Sequence, residues 1–238
     1  MPTALLGHVP ATLRSLAERA ARAVGVEVDR RPFGKRLAGL CDRLDIRAAL
    51  DAGATKGQYA AFLRRHGFHG HIVSCEPIGD AYEDLVRTAA TDLAWHPERL
   101  ALGATPGHVE VDVANRTRSP SGPSHSRTAP GHERAAMSTV DDLFDSYGYP
   151  PERSLLKVDA HGHEWGVLDG AAHSLPRLAA VQVELPLTPP HAGQRLLTDV
   201  TERLGRAGLA LWWLEPGSTD PVTGRMLRCE GVFARFDR

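Results

Sequence analysis

Leu50-Asp51-Ala52-Gly53-Ala54-Thr55-Lys56-Gly57-Gln58-Tyr59 is the stretch that decides how this chain is read. An apolar run from Ile46 to Leu50, with Arg47 inside it, ends at Asp51. A glycine-containing turn follows, and a helical pattern runs from Gln58 to His66. Strand, glycine turn and helix together make the entry unit of a nucleotide-binding α/β sheet. Gly53 and Gly57 let the backbone turn sharply and approach a ligand with no Cβ in the way. Asp51, at the carboxyl end of the strand, is expected to point its carboxylate into the crevice where such sheets bind ligands.

The spacing narrows the ligand. A dinucleotide fingerprint needs G-x-G-x-x-G, whereas this turn offers G-x-x-x-G behind an acid that repels a pyrophosphate. An acidic residue before the turn suits a cationic or hydroxyl-bearing ligand, such as S-adenosylmethionine with its amino group and ribose. A tight turn that binds nothing is the alternative.

Bulk properties set the outer limits. At 238 residues the chain makes one large domain, or one with a small appendage. The formal net charge of -1 disfavours a dedicated nucleic-acid binder. Cys41, Cys75 and Cys229 are far apart and form no CxxC pair, so neither a zinc ribbon nor a disulfide framework is expected. Leu5-Leu6 is broken off by Gly7, His8 and Pro10, and no apolar run reaches membrane-spanning length. The expectation is a cytoplasmic protein with no membrane partner.

Outward from the opening stretch, residues 11 to 24 and 33 to 44 read as amphipathic helices. They either cap a face of the sheet or cover the substrate mouth. Residues 1–45 form an N-terminal helical segment in this reading, and 46–238 the main domain. His71 to Cys75 is the second strand, followed by a helix from Gly79 to Ala89 and a strand near Arg99 to Leu102. Val109, Val111 and Val113 mark a half-exposed strand, and residues 115 to 135 a long loop. Ser138 or Thr139 caps a short helix through Asp145. Ser154 to Val158 is a buried strand, Gly162 to Ala172 a helix, Ala180 to Glu184 a strand and Gln194 to Arg206 a helix. Leu209 to Leu214 and Met226 to Phe236 close the chain as an antiparallel hairpin on the sheet edge. The fold class is therefore α/β, a mostly parallel sheet with one antiparallel strand and helices on both faces.

Glu76, at the tip of the second strand before Pro77, is placed to accept both hydroxyls of an adenosine ribose; a solvated loop glutamate is the competing reading. Lys157-Val158-Asp159-Ala160-His161-Gly162-His163-Glu164 is the densest ionisable cluster, again at a strand tip. His161 or His163 can take a proton near neutral pH, and Asp159 can orient it or touch a cofactor. A helix start capped by Asp159, with Glu164 favoured by the helix dipole, explains the same residues structurally. Ser124 and His125 in the long loop, and Glu184 at a strand end, are candidate substrate contacts. Trp212 and Trp213 put one indole on each face of their strand.

Five blocks stand in order: Leu50 to Tyr59, Cys75-Glu76-Pro77, Leu100-Ala101-Leu102-Gly103, Thr139-Val140-Asp141-Asp142-Leu143, and Leu156 to Glu164 with Val167-Leu168-Asp169-Gly170-Ala171 behind it. Together they resemble the FkbM family of methyltransferases over roughly residues 46 to 215. The resemblance implies a class I methyltransferase fold with a Rossmann-like seven-stranded sheet and S-adenosyl-L-methionine as methyl donor. It also implies O-methylation of sugars or natural-product hydroxyls. By the same resemblance Asp51, Gly53 and Gly57 line the methionine part of the cofactor, with Ala54, Thr55, Gln58 and Tyr59 completing the turn. Glu76, beside Pro77, takes the ribose, Ala101 and Leu102 lie near the adenine, and Asp159 sits beside the sulfonium. The family usually has Asn where Thr55 stands, Glu where His161 stands and a small residue where His163 stands.

The expected chemistry is direct methyl displacement onto a hydroxyl of a small-molecule acceptor, with His161 or His163 as base and no metal. A divalent metal held by Asp159, His161 and His163 is one rival; a catalytically silent cofactor-binding module is the other. A homo-oligomer is compatible with the sequence.

Overall fold

The computed structural model describes residues 32–113, 118–120, 131–189 and 194–236. The helix read over residues 11 to 24 lies outside them, as do Ser124 and His125. In chain order the elements open with α1 (Phe33–Arg43), β1 (Ala48–Ala52), α2 (Gln58–Arg65), β2 (His71–Cys75), α3 (Gly79–Ala89) and β3 (Trp95–Glu98). They continue with β4 (Ala101–Leu102), β5 (Gly107–Asp112), β6 (Arg118–Pro120), β7 (His132–Ser138), α4 (Val140–Tyr147) and β8 (Ser154–Val158). The chain finishes with α5 (Glu164–Asp169), β9 (Ala180–Pro186), α6 (Leu197–Arg206), β10 (Ala210–Pro216) and β11 (Arg228–Ala234).

The main sheet has seven strands in the order β10-β11-β9-β8-β1-β2-β3. All neighbours pair in parallel except at β11, which runs antiparallel to both β9 and β10. This is the class I methyltransferase sheet that the resemblance implies. Strands β1 and β8 are buried along their whole length, as expected of central strands covered on both faces. Leu50, Val73, Leu156, Val181 and Phe233 meet α4 and α6 on one face. On the other, Ala49, Ile72 and Leu155 meet Leu37, Leu40 and Cys41 of α1 and Ala60 and Leu63 of α2. Helix α1 thus caps a sheet face, the plainer of its two sequence readings.

Local chemistry sets the ends of α4. The Thr139 Oγ1 accepts the Asp142 amide at 3.0 Å, and Gly148 closes the helix in the left-handed region at φ 66°. Asp141 then accepts the amides of His173 and Ser174, each at 2.9 Å, tying α4 to the segment after α5.

Three expectations change. The strand near Arg99 to Leu102 is two pieces, β3 and β4, and the second belongs to a four-stranded sheet ordered β4-β7-β5-β6. Residues 132–135, read as the end of a loop, open strand β7, which pairs with β5 from His132 to Met137; β6 also falls inside the supposed loop. Composition misled there, because this strand carries few β-branched residues. Trp212 and Trp213 do not sit on opposite faces: the pairing of β10 with β11 skips between Leu211 and Trp213, and both indoles pack against the α1–α2 side. A bulge residue breaks the period-two alternation.

Among the described residues no helix is long and apolar enough to cross a membrane.

Candidate active site

The turn after β1 folds back on the end of β2. The amides of Gly53 and Ala54 both donate to the Cys75 carbonyl, at 3.1 and 3.0 Å. Gly53 has φ 85°, and a Cβ there would overlap the carbonyl oxygen of Asp159. Only glycine permits this conformation and this approach together. Thr55 also sits in the left-handed region, at φ 50°. Its hydroxyl bonds the Gln58 side chain, which in turn accepts the Lys56 amide at 3.1 Å. Gln58 therefore stabilises the turn from within.

Glu76 organises the next shell of the site. It is buried, and its carboxylate accepts the Thr55 amide at 2.8 Å and the Ile78 amide at 3.0 Å. Two backbone donors fix its carboxyl group between the β1 and β2 turns. A carboxylate has about four acceptor sites, so such a group can hold a pair of hydroxyls besides.

Glu76 and Asp159 come together. With Gly53, Pro77, Ile78, Val111, Ala160 and His161 they line one cleft at the carboxyl ends of β1, β2 and β8. Val111, from the second sheet, was not read as a site residue; its alternation with Val109 and Val113 marked a strand but gave no sign of where one face pointed. Ala101 lies behind the lining, packed with Ile78 and Val111, and Leu102 is buried in the main core. Among the described residues the cleft encloses about 10 Å³.

Asp51 lies beneath this cleft. Its side chain is wholly buried and does not line the cleft. Oδ2 accepts the Ser74 hydroxyl at 3.3 Å, and the Lys157 ammonium stands 3.4 Å from Oδ1. Burial pushes the Asp51 carboxyl up, against the pull of Lys157. Tyr59 is likewise turned inward, its hydroxyl donating to Gln182 Oε1 at 2.8 Å. Gly57 packs against Trp95 and Leu85.

The third strand tip carries Asp159 and His161. His161 is left-handed at φ 49°, an uncommon conformation for a non-glycine residue. Its Nδ1 lies 3.9 Å from Asp159 Oδ1. Asp159 Oδ1 and His161 Nε2 are both buried and have no hydrogen-bond partner among the described residues. Buried orphan polar atoms call for an explanation, and a polar ligand in the cleft supplies one. His163 caps the start of α5, its amide bonded to the Ala160 carbonyl at 3.2 Å, and is not part of the lining.

Glu184 is near Asp159 but paired with Arg228, whose Nη1 lies 2.9 and 3.3 Å from its two oxygens. Asp159, Glu164 and Glu184 bring ligand oxygens within 4.8 Å of one another. This is not the Asp159, His161 and His163 set expected for a metal. Each of these carboxylates already has partners: Lys157 for Asp159, the Ala160 and Gly162 amides for Glu164, and Arg228 for Glu184.

The model of the methyltransferase FkbM domain matches residues 51–208. No curated protein matches the chain. Among solved structures, the O-methyltransferase TomG of Streptomyces achromogenes, involved in tomaymycin synthesis and bound to S-adenosylmethionine, is 16% identical with a TM-score of 0.49, covering 98% of this chain and 93% of its own. The magnesium protoporphyrin IX methyltransferase of Synechocystis PCC 6803, also with bound S-adenosylmethionine, is 13% identical with a TM-score of 0.48, covering 97% and 86%.

Proposed function

The chain belongs to the FkbM methyltransferase family and uses S-adenosylmethionine as methyl donor; from that premise we propose that it methylates a hydroxyl of a small molecule, a sugar or a natural-product intermediate. The observation that carries this reading is the cleft in which Glu76 and Asp159, from two strand tips, meet Gly53 and His161. When bound, S-adenosylmethionine supplies an electrophilic methyl on a sulfonium that is already a good leaving group.

The residues of the chain do the rest. Glu76, fixed by the Thr55 and Ile78 amides, accepts the ribose hydroxyls. Ile78 and Val111 give the apolar wall that an adenine requires, with Ala101 behind them. The Gly53 turn lets a ligand run close to the backbone, and the Asp159 carboxylate attracts positive charge. His161, whose Nε2 is unpartnered among the described residues, takes the proton of the acceptor hydroxyl. Asp159 Oδ1 faces the same ring, 3.9 Å from Nδ1. His163 stands outside the lining and is assigned no proton transfer. Glu184, with Ser124 and His125 outside the described residues, is proposed to meet the acceptor. Most of the rate comes from alignment of hydroxyl and methyl.

Incubation with methyl-labelled S-adenosylmethionine and a panel of sugars and hydroxylated natural products tests this reading. Label in an ether linkage supports it. Label on nitrogen or carbon overturns the O-methyl assignment. Cofactor binding without transfer to any acceptor favours the silent binding module.

A further inference from the structure

Lys157 lies under the cleft, flanked by two carboxylates, and the mechanism above does not use it. In the sheet it is paired across β1 with Asp51 and across β9 with Gln182. Its ammonium is 3.4 Å from Asp51 Oδ1 and 3.3 Å from Asp159 Oδ2, and it stands 5.5 Å from the centre of the Tyr59 ring. Only 6% of the residue is exposed. Tyr59 is itself anchored on Gln182, and Gln182 approaches Glu230 at 3.4 Å.

The supports below are equally directed. The Trp95 Nε1 donates to Ser74 Oγ at 3.0 Å, and Ser74 donates to Asp51 Oδ2 at 3.3 Å. That leaves Asp51 Oδ1 turned toward Lys157. The contacts form a path from β3 through β2 and β1 to the tip of β8. Above, Lys157 takes Oδ2 of Asp159, and Oδ1 is the oxygen left without a partner among the described residues. A carboxylate alone at this place has no preference between its two oxygens. Tied to a buried ammonium, it has one.

We infer that Lys157 is a positioning residue: seated on Asp51, it fixes Asp159 so that one carboxylate oxygen is presented to the cationic part of the methyl donor. Asp51 then acts on the cofactor through Lys157, without touching it. This rests on the cofactor reading above. It differs from a purely structural role, in which Lys157 merely offsets the buried charge of Asp51.

The two roles separate when the Asp51 charge is removed first. Calorimetric titration with S-adenosylmethionine, which carries the sulfonium, is carried out on the wild type, Asp51→Asn, Asp51→Asn/Lys157→Met and Asp51→Asn/Lys157→Arg, each with a thermal melt. With Asp51→Asn as reference, Lys157→Met is expected to weaken binding roughly tenfold or more, the scale of one charge-assisted hydrogen bond. Lys157→Arg is expected to restore most of it. Affinity of Asp51→Asn/Lys157→Met equal to that of Asp51→Asn overturns the assignment. Should the Met variant not fold, Lys157→Gln in the same background gives the same comparison: weakened binding supports the assignment and unchanged binding overturns it. A wild type that binds no S-adenosylmethionine overturns the cofactor reading and this assignment with it; a binding wild type isolates the role of Lys157.

Discussion

Glu164 holds the backbone around His161: its Oε1 accepts the amide hydrogens of Ala160 at 3.0 Å and Gly162 at 2.9 Å, the two residues that flank the histidine. His161 at φ 49° and Gly162 at φ 94° make a bend that the backbone alone would not favour. A buried carboxylate with two amide donors offsets that strain. Glu164→Ala removes the acceptor from both amides and is expected to cost about 2–4 kcal/mol. Glu164→Gln keeps a carbonyl oxygen at the same place and is expected to cost only about 1 kcal/mol. Chemical denaturation of the two variants checks the order, and equal losses would contradict the clamp.

Two glycines of similar backbone test the contact between strand tips. Gly53 and Gly67 have φ values of 85° and 95°, but a Cβ at Gly67 meets nothing within 4 Å, whereas one at Gly53 overlaps Asp159 O. Gly67→Ala is expected to cost about 1 kcal/mol from conformation alone. Gly53→Ala is expected to cost well beyond that, about 3 kcal/mol or more, and to weaken S-adenosylhomocysteine binding as well. Melting curves and calorimetry on both variants measure the difference.

Glu230 is expected to give the fold a pH dependence. Burial first, then the Asp159 charge, pushes its carboxyl from 4.5 up to about 7, although Lys157 and Gln182 oppose the shift. The folded chain therefore binds more protons than the unfolded chain between those values. Stability from this group is present below about 4.5 and is lost as pH rises through about 7. The largest effect is about 3 kcal/mol. Glu230→Gln removes the titration, so its melting temperature is expected to exceed that of the wild type by more at pH 8 than at pH 5. A difference independent of pH would contradict this.

The cysteines are expected to be inert. Cys41, Cys75 and Cys229 are all buried. Burial, helped by Asp42, pushes the Cys41 thiol up to about 12, and burial raises Cys229 as well. A thiolate is the reactive form, so native protein at pH 8 is expected to react slowly with a thiol reagent, and denatured protein quickly. Rapid native labelling of Cys41 would contradict the packing of α1 on the sheet.

Much of this was legible in the sequence, for reasons of pattern. Strands such as His71 to Cys75 and Ser154 to Val158 are short apolar runs ending at acids, and the glycine turn at 53–57 states its own geometry. Glu76 and Asp159 were readable as acids at strand tips, and the fold brings the two into one cleft. Asp51 occupies the same kind of place, yet it turns into the layer under α2, because Lys157 and Ser74 on the flanking strands offer buried partners. No spacing rule records a cross-strand partner. For the same reason Lys157 looked like one more charge in a dense cluster. The bulge at Trp212 and strand β7 were hidden because register and pairing, not composition, define them.

The central claim is that Glu76 and Asp159 share one pocket for an adenosyl sulfonium donor. Calorimetric titration of the wild type and Glu76→Ala with S-adenosylmethionine tests it most directly. The account predicts one molecule bound per chain, and binding weakened by roughly tenfold or more in Glu76→Ala while the protein stays folded. A wild type that gives no binding heat at any temperature tried, or a Glu76→Ala variant that binds as tightly as the wild type, would contradict it.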